Sequence, residues 1–249
     1  MELGKVIAVR NTKTVYRSED KTIKLFIENY PKPSILNEAL NLARVEEVDL
    51  NIPKLKEVTT IDGKWAIVSE YVEGKSLEIL INENPDKKDE YMNMFVDLQL
   101  KVLSHSAPVM LNKLKEKMKR KIAGADLSDN IKFELNIRLE SMPTHSKLCH
   151  GDFNPSNVIV RDDGELFIID WAHVTAGNAS ADAARTYLVF WLNGKIDDAE
   201  KYLEMFSEKS GIEKRLIQKW IPIVAASQLS KGNETEREFL MQWIDVIEY

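Results

Sequence analysis

Residues 149–160 read CHGDFNPSNVIV. His150, Asp152, Asn154, Pro155 and Asn157 crowd into a few positions, and the chain then turns wholly apolar. A solvated turn has no need of the apolar run, and a plain strand does not carry Asp, Asn and Pro at this density. The combination describes a loop held against a core, with side chains aimed at something. For NPSN alone, turn chemistry would be explanation enough; what lies on either side changes the reading.

The spacing is His-x-Asp-x-x-x-x-Asn, and thirteen residues after Asn157 comes Asp170, at the end of the apolar run in IIDW. NVIV and ELFIIDW flank the turn sequence RDDG, so the segment reads as a hairpin. A hairpin returns the chain to its start, which lets Asn157 and Asp170 converge. Oxygen ligands of this kind suit a hard cation such as Mg²⁺, which takes one or two carboxylates plus substrate phosphates. Asp152 would sit near but apart, placed to orient a hydroxyl and accept its proton.

The totals fit such a protein. A chain of 249 residues can bury one large core or two unequal lobes. A net charge of -6 weighs against nucleic acid or an anionic membrane as the main partner. The single cysteine, Cys149, excludes an internal disulfide framework and suggests a reducing cytoplasm. The strongest candidate span, TYLVFWL from Thr186 to Leu192, is far short of the ~20 residues that cross a bilayer. No signal peptide is legible at the N-terminus.

Working further outward, KVIAVR, TVYRS and KTIKLF read as short strands separated by polar turns. A helix follows over SILNEALNLARVEEV, with Ser34 as its expected N-cap. Two more strands fit around Lys54 to Val58 and Lys64 to Ser69, joined by the hairpin turn Asp62-Gly63. From about Ser76 the texture is helical, apart from the hairpin. IEKRLIQKWIPIVAA predicts one helix kinked at Pro222, and REFLMQWIDVI another with Phe239, Leu240, Trp243, Ile244 and Ile247 on one face. The lysines of KLKEKMKRK, Lys113 to Lys121, read as a solvated helix face. The expected architecture is α+β: residues 1–73 form a small N-terminal lobe of antiparallel sheet plus one helix, and residues 74–249 a larger, mainly helical C-terminal lobe.

HGDFNPSN followed by IIDW resembles the catalytic and metal-binding loops of the aminoglycoside phosphotransferase and choline kinase family. These are small-molecule kinases similar to protein kinases. The resemblance runs in order along nearly the whole chain and implies a protein-kinase-like two-lobe fold. TIKLF resembles the strand with the phosphate-binding lysine, here Lys24. NEALNLARV resembles the helix whose glutamate holds that lysine, here Glu38. IVSEYVEGKSL resembles the connector, where Glu70, Tyr71 and Val72 would offer backbone groups to the base. GNASADAARTY resembles the segment whose aspartate, here Asp182, braces the catalytic loop.

The implied reaction moves the γ-phosphoryl group of ATP (or GTP), with Mg²⁺, to a hydroxyl of a small molecule. Asp152 is the implied base, and Asn157 and Asp170 the implied metal ligands, while His150 orders the loop. The acceptor would be aminoglycoside-, choline- or sugar-like. Such acceptors are often cationic, which makes Glu234, Glu236, Glu238, Asp245 and Glu248 candidate acidic positions. His173, Thr175 and Asn178 could line a substrate site. The chain departs from the pattern in RNTKTVYR, which lacks internal glycines, and at Asn154, where the family often carries histidine. Two other readings stay open: a non-catalytic nucleotide-binding relative with a regulatory or structural role, and a metal-dependent phosphohydrolase.

Overall fold

The structure is a computed structural model, and it describes residues 2–244. The chain forms two compact units. The first runs to Lys87 and takes back Pro155–His173; the second holds Lys88–Asn154 and the chain from Val174 onward.

In the first unit, β1 (Lys5–Arg10), β2 (Lys13–Ser18), β3 (Lys21–Phe26), β4 (Leu55–Ile61) and β5 (Lys64–Glu70) make an antiparallel sheet in the order β1-β2-β3-β5-β4. Between β3 and β4 lies α1 (Lys32–Val45), which packs on one face of the sheet. That face carries Phe26 and Ile67 against Ile35 and Ala39 of the helix. The opposite face carries Ile23, Ile61, Ala66 and Val68. The two sets alternate along β3 and β5, as the two-residue period of a strand requires. Ser34 is not the cap of α1. The helix begins earlier, after Pro31, with proline in its first turn, where a missing N–H costs nothing.

The unit continues through β6 (Lys75–Ser76) and α2 (Leu77–Glu83). Gly74 enters β6 at φ 139°, and a Cβ there would meet the Val160 carbonyl oxygen at 2.3 Å, so only glycine fits.

The second unit is mainly helical: α3 (Lys88–Ser104), α4 (Leu114–Gly124), α5 (Asp129–Ser141), then the short strand β7 (Lys147–Cys149). The chain next returns to the first unit for a 3-10 turn over Pro155–Asn157 and the hairpin β8 (Val158–Val160) and β9 (Leu166–Ile168). β8 pairs with both β6 and β9. Back in the second unit, β10 (Thr175–Gly177) pairs antiparallel with β7. Five helices follow: α6 (Ala179–Leu192), α7 (Ile196–Ser210), α8 (Lys214–Gln218), α9 (Ile221–Leu229) and α10 (Glu234–Ile244). An aromatic core of Phe95, Phe153, Phe190, Tyr202 and Phe206 joins α3, α6 and α7.

Two expectations fail here. Pro222 kinks no helix: α8 ends first, and the proline sits in the first turn of α9. β7 and β10 were not foreseen, since three-residue strands carry too little pattern to read. Ile247 lies outside the described residues.

Candidate active site

The first unit assembles one group of charges. Thr22, Lys24 and Phe26 share a face of β3, and Phe26 packs against α1, so Lys24 points toward that helix. Glu38 follows the buried Ile35 by three residues, on the same stripe of α1. Lys24 Nζ accordingly donates to Glu38 Oε1 at 2.7 Å, and also to Asp170 Oδ1 at 2.9 Å.

Lys13, which the sequence reading passed over, joins them. It stands opposite Phe26 in the β2–β3 pair, so it shares the face of Lys24. Its Nζ donates to Glu38 Oε1 at 2.9 Å and Oε2 at 3.2 Å, and lies 3.8 Å from Asp170 Oδ1. Two largely buried lysines thus face two carboxylates. Burial alone would lower the Lys24 amine, but Asp170 and Glu38 outweigh it and raise it above the ordinary lysine value. Burial alone would raise the Asp170 carboxyl, but Lys24 and Lys13 outweigh it and hold the group well below the usual carboxylate range. Lys24 and Asp170 therefore both keep their charge at neutral pH.

The hairpin brings Asn157 to Asp170. Val158 pairs with Ile168 in the β8–β9 register, and one step further the Ile169 N–H donates to the Asn157 carbonyl at 2.9 Å. Asp170 then takes φ 61°, a left-handed conformation that aspartate tolerates better than most residues. A carboxylate from Asp170 and an amide oxygen from Asn157 make a donor set of the kind that fits Mg²⁺ completed by phosphate oxygens. Among the described residues no group of three or more His, Cys, Asp or Glu side chains stands together as a metal site.

At the connector, the N–H of Glu70 donates to the Lys54 carbonyl at 2.9 Å and that of Tyr71 to the Asp20 carbonyl at 2.7 Å. Those two donors are spent within the unit, which narrows what Glu70 and Tyr71 have to offer a base to their carbonyls. The Glu70 carboxylate accepts from Lys56 Nζ at 2.8 Å. The Arg17 guanidinium covers the Tyr71 ring at 4.1 Å.

The second unit holds Asp152. Its Oδ1 accepts from Arg185 Nη2 at 3.0 Å. Its backbone carbonyl accepts from Asn154 Nδ2 at 2.9 Å, so Asn154 closes the turn. Gly151, at φ 79°, turns its N–H onto Asp182 Oδ1 at 2.7 Å. Asp182 is fully buried, and its other oxygen accepts from Gln99 Nε2 at 3.1 Å. Gln99 Oε1 accepts from the Tyr202 hydroxyl at 2.6 Å, and Thr186 Oγ1 donates to the Phe153 carbonyl at 2.8 Å. Phe153 is buried against Phe95, with ring centres 4.8 Å apart. His150 is fully buried, and its Nδ1 accepts the Asp152 N–H at 3.3 Å. The loop is thus tied from α3, α6 and α7 at once.

Several expected substrate residues have other work. Asn178 caps α6, accepting from Ser180 N–H at 2.8 Å, and Thr175 is buried in β10. Glu236 accepts from Gln228 Nε2 and Asn233 Nδ2, while Glu234 and Glu238 are exposed. Asp245 and Glu248 lie outside the described residues. Lys117 and Lys121, read from sequence as solvated, are only partly exposed. Arg185 and Gln99 carried no sequence signal, because their partners are distant along the chain.

Comparison with known proteins agrees with this layout. The family model described as "Phosphotransferase enzyme family" matches residues 9–215. No curated protein matches the chain in sequence. Among solved structures, a thermostable mutant of aminoglycoside phosphotransferase APH(4)-Ia, in ternary complex with ADP and hygromycin B, superposes with a TM-score of 0.67 at 16% identity, covering 97% of this chain and 92% of that one. Choline kinase LicA from Streptococcus pneumoniae gives 0.65 at 14% identity, covering 98% and 93%. Aminoglycoside-3'-phosphotransferase of type VIII gives 0.64 at 15% identity, covering 88% and 94%. At these identities the likeness establishes the fold. No helix among the described residues is long and apolar enough to cross a membrane.

Proposed function

Because this chain belongs to the phosphotransferase enzyme family, we propose that it is a small-molecule kinase that transfers the γ-phosphoryl group of ATP to a hydroxyl, with Mg²⁺. The observation that carries the reading is the convergence of Lys24, Glu38, Lys13 and Asp170 in one charge group. Nothing in the packing of the sheet requires two lysines there, and phosphoryl transfer gives them a use, since it depends on positioning and on compensating phosphate charge.

Lys24 and Lys13 bind the phosphate oxygens, with Glu38 fixing the direction of both. Asp170 and Asn157 would hold the Mg²⁺, which when bound neutralises charge on the triphosphate. Glu70, Tyr71 and Val72 lie along the adenine, contributing carbonyls at the first two positions. Asp152 orients the acceptor hydroxyl and takes its proton as the oxygen bonds to the γ-phosphorus. The bond from the γ-phosphorus to the bridging oxygen breaks, and its electron pair leaves with ADP. Arg185 holds the carboxylate of Asp152, and Asp182 the N–H of the preceding Gly151, so neither needs to reorganise during the reaction.

The aminoglycoside-, choline- and sugar-like acceptors implied by the family are the starting panel, and the single buried thiol of Cys149 suits a cytoplasmic setting. Calorimetric titration of Asp170→Ala with ATP in the presence of Mg²⁺ tests the metal and nucleotide roles together. The reading expects Mg²⁺-dependent binding to be lost. Unchanged affinity would remove Asp170 from the site.

A further inference from the structure

We infer that Asn41 is a positioning residue for the proposed metal site: its bond to the backbone just past Asp170 keeps that carboxylate registered against Lys24 and Glu38 when nucleotide enters. The inference rests on the proposed roles of Lys24 and Asp170, and every residue in it belongs to the first unit.

Asn41 lies on α1, three residues after Glu38 and on the same side of the helix. The other buried residues of α1, Ile35, Ala39 and Val45, are apolar; Asn41, 1% exposed, is the exception. Its Nδ2 donates to the Ala172 carbonyl at 3.1 Å. Ala172 stands in a 3-10 turn over Trp171–His173, two residues after Asp170. One turn of α1 thus carries two tethers to the same segment. Glu38 reaches the Asp170 carboxylate through Lys24, and Asn41 reaches the backbone beyond it directly.

Asp170 needs such support. A residue other than glycine keeps a φ of 61° only where its surroundings hold it there. On the approach, the Ile168 N–H donates to the Asn51 carbonyl at 3.0 Å and the Ile169 N–H to the Asn157 carbonyl at 2.9 Å. The Trp171 indole N–H turns back onto the Ile168 carbonyl at 2.9 Å. Asn41 holds the exit.

The two tethers fare differently in the proposed reaction. Lys24 Nζ donates to Asp170 Oδ1 at 2.9 Å. That pair has to open, since the amine is to serve phosphate oxygens and the carboxylate a cation. The Asn41 bond involves neither group, so it survives the exchange and keeps the segment on α1.

The residue chosen at position 41 points the same way. Asparagine is a poorer helix former than leucine, and Asn41 Oδ1 is buried with no donor among the described residues. A buried acceptor left unmatched lowers stability, and an apolar residue of similar shape would avoid that. A local loss of this kind is expected where a residue serves a site rather than the core.

The test is calorimetric titration of the native protein and Asn41→Leu with the non-hydrolysable analogue AMP-PNP, once with Mg²⁺ and once with the metal chelated. Without Mg²⁺ the variant should bind as the native protein does. The gain in affinity that Mg²⁺ brings should fall about tenfold, the size usual when a group supporting a metal ligand is lost. Its urea midpoint should equal or exceed the native one, because the unmatched oxygen is gone. Asn41→Ala repeats the measurement with a good helix former, should leucine overfill the site. A Mg²⁺ gain retained in full by either folded variant overturns the inference. So does an equal loss of affinity with and without Mg²⁺, which would make Asn41 a support of α1 as a whole. If the native protein itself shows no Mg²⁺ gain, the metal role of Asp170 is defeated first, and the inference with it.

Discussion

Asp152 Oδ1 accepts a hydrogen bond from Arg185 Nη2 at 3.0 Å, while the neighbouring Gly151 N–H is held by Asp182 at 2.7 Å. The carboxylate and its backbone are fixed from two turns of one helix, α6. In the proposed reaction a base held in this way meets its substrate already oriented, which is where positional catalysis gains most.

Arg185→Ala should therefore lower kcat about 10- to 100-fold, because the carboxylate loses its orienting partner. KM for ATP should stay unchanged. Arg185→Lys should recover only part of the loss, since an ammonium cannot reproduce the guanidinium fork. Steady-state kinetics with nucleotide and acceptor varied separately distinguish these outcomes. An unaltered kcat would show that Arg185 does not position the base.

Asp182→Ala acts on the fold. It leaves the Gly151 N–H without an acceptor and Gln99 Nε2 with Thr186 Oγ1 as its remaining one, and an unsatisfied buried group costs about 1–3 kcal/mol. Urea unfolding should show a loss of about 3 kcal/mol. A change within about 0.5 kcal/mol would mean the loop is held by Phe153 and Thr186 alone.

For the two lysines of the first unit, Lys24→Ala and Lys13→Ala should each raise KM for ATP about tenfold, an effect worth about 1.4 kcal/mol. Their effects should not add, because both act through Glu38. Strict additivity in the double variant would place Lys13 outside the nucleotide site.

How much of this was legible in advance follows from the range of each interaction. The hairpin that joins Asn157 to Asp170 was readable, because its turn and its apolar runs are contiguous. The sheet with one helix was readable from strand and helix periods. Lys24 and Glu38 were found by their order along the chain. Lys13 was not, since a strand lysine looks solvated until its cross-strand partner is known, and here that partner is Phe26. The lysines of α4 proved only partly exposed for a similar reason: their helix was plain, but which side chains its neighbours cover is decided by how α4 packs on α5 and α9. Pro222 misled because proline within an apolar run fits a kink as well as a helix start.

Stability should depend on pH through Lys117. Its folded value is about 7 against an ordinary 10.5. Between those values the unfolded chain binds the extra proton, so stability rises with pH above about 7. Below that, both states are protonated and the penalty is constant. Lys117→Met removes the group. Its stability advantage over the native chain should be largest near pH 6.5 and shrink by at most about 1.4 kcal/mol per pH unit above 7. Urea titrations at three pH values between 6.5 and 8.5 read the difference directly. A constant difference would show that Lys117 titrates normally.

The decisive experiment is phosphorus NMR of the native protein and Asp152→Asn with Mg²⁺, ATP and the panel of alcohols. The native protein should convert ATP to ADP in step with a new phosphomonoester of one acceptor, and Asp152→Asn should slow this by about 10²- to 10⁴-fold while still binding ATP. ATP consumed only to inorganic phosphate, or at an equal rate by the Asp152→Asn variant, would contradict phosphoryl transfer to an alcohol at Asp152.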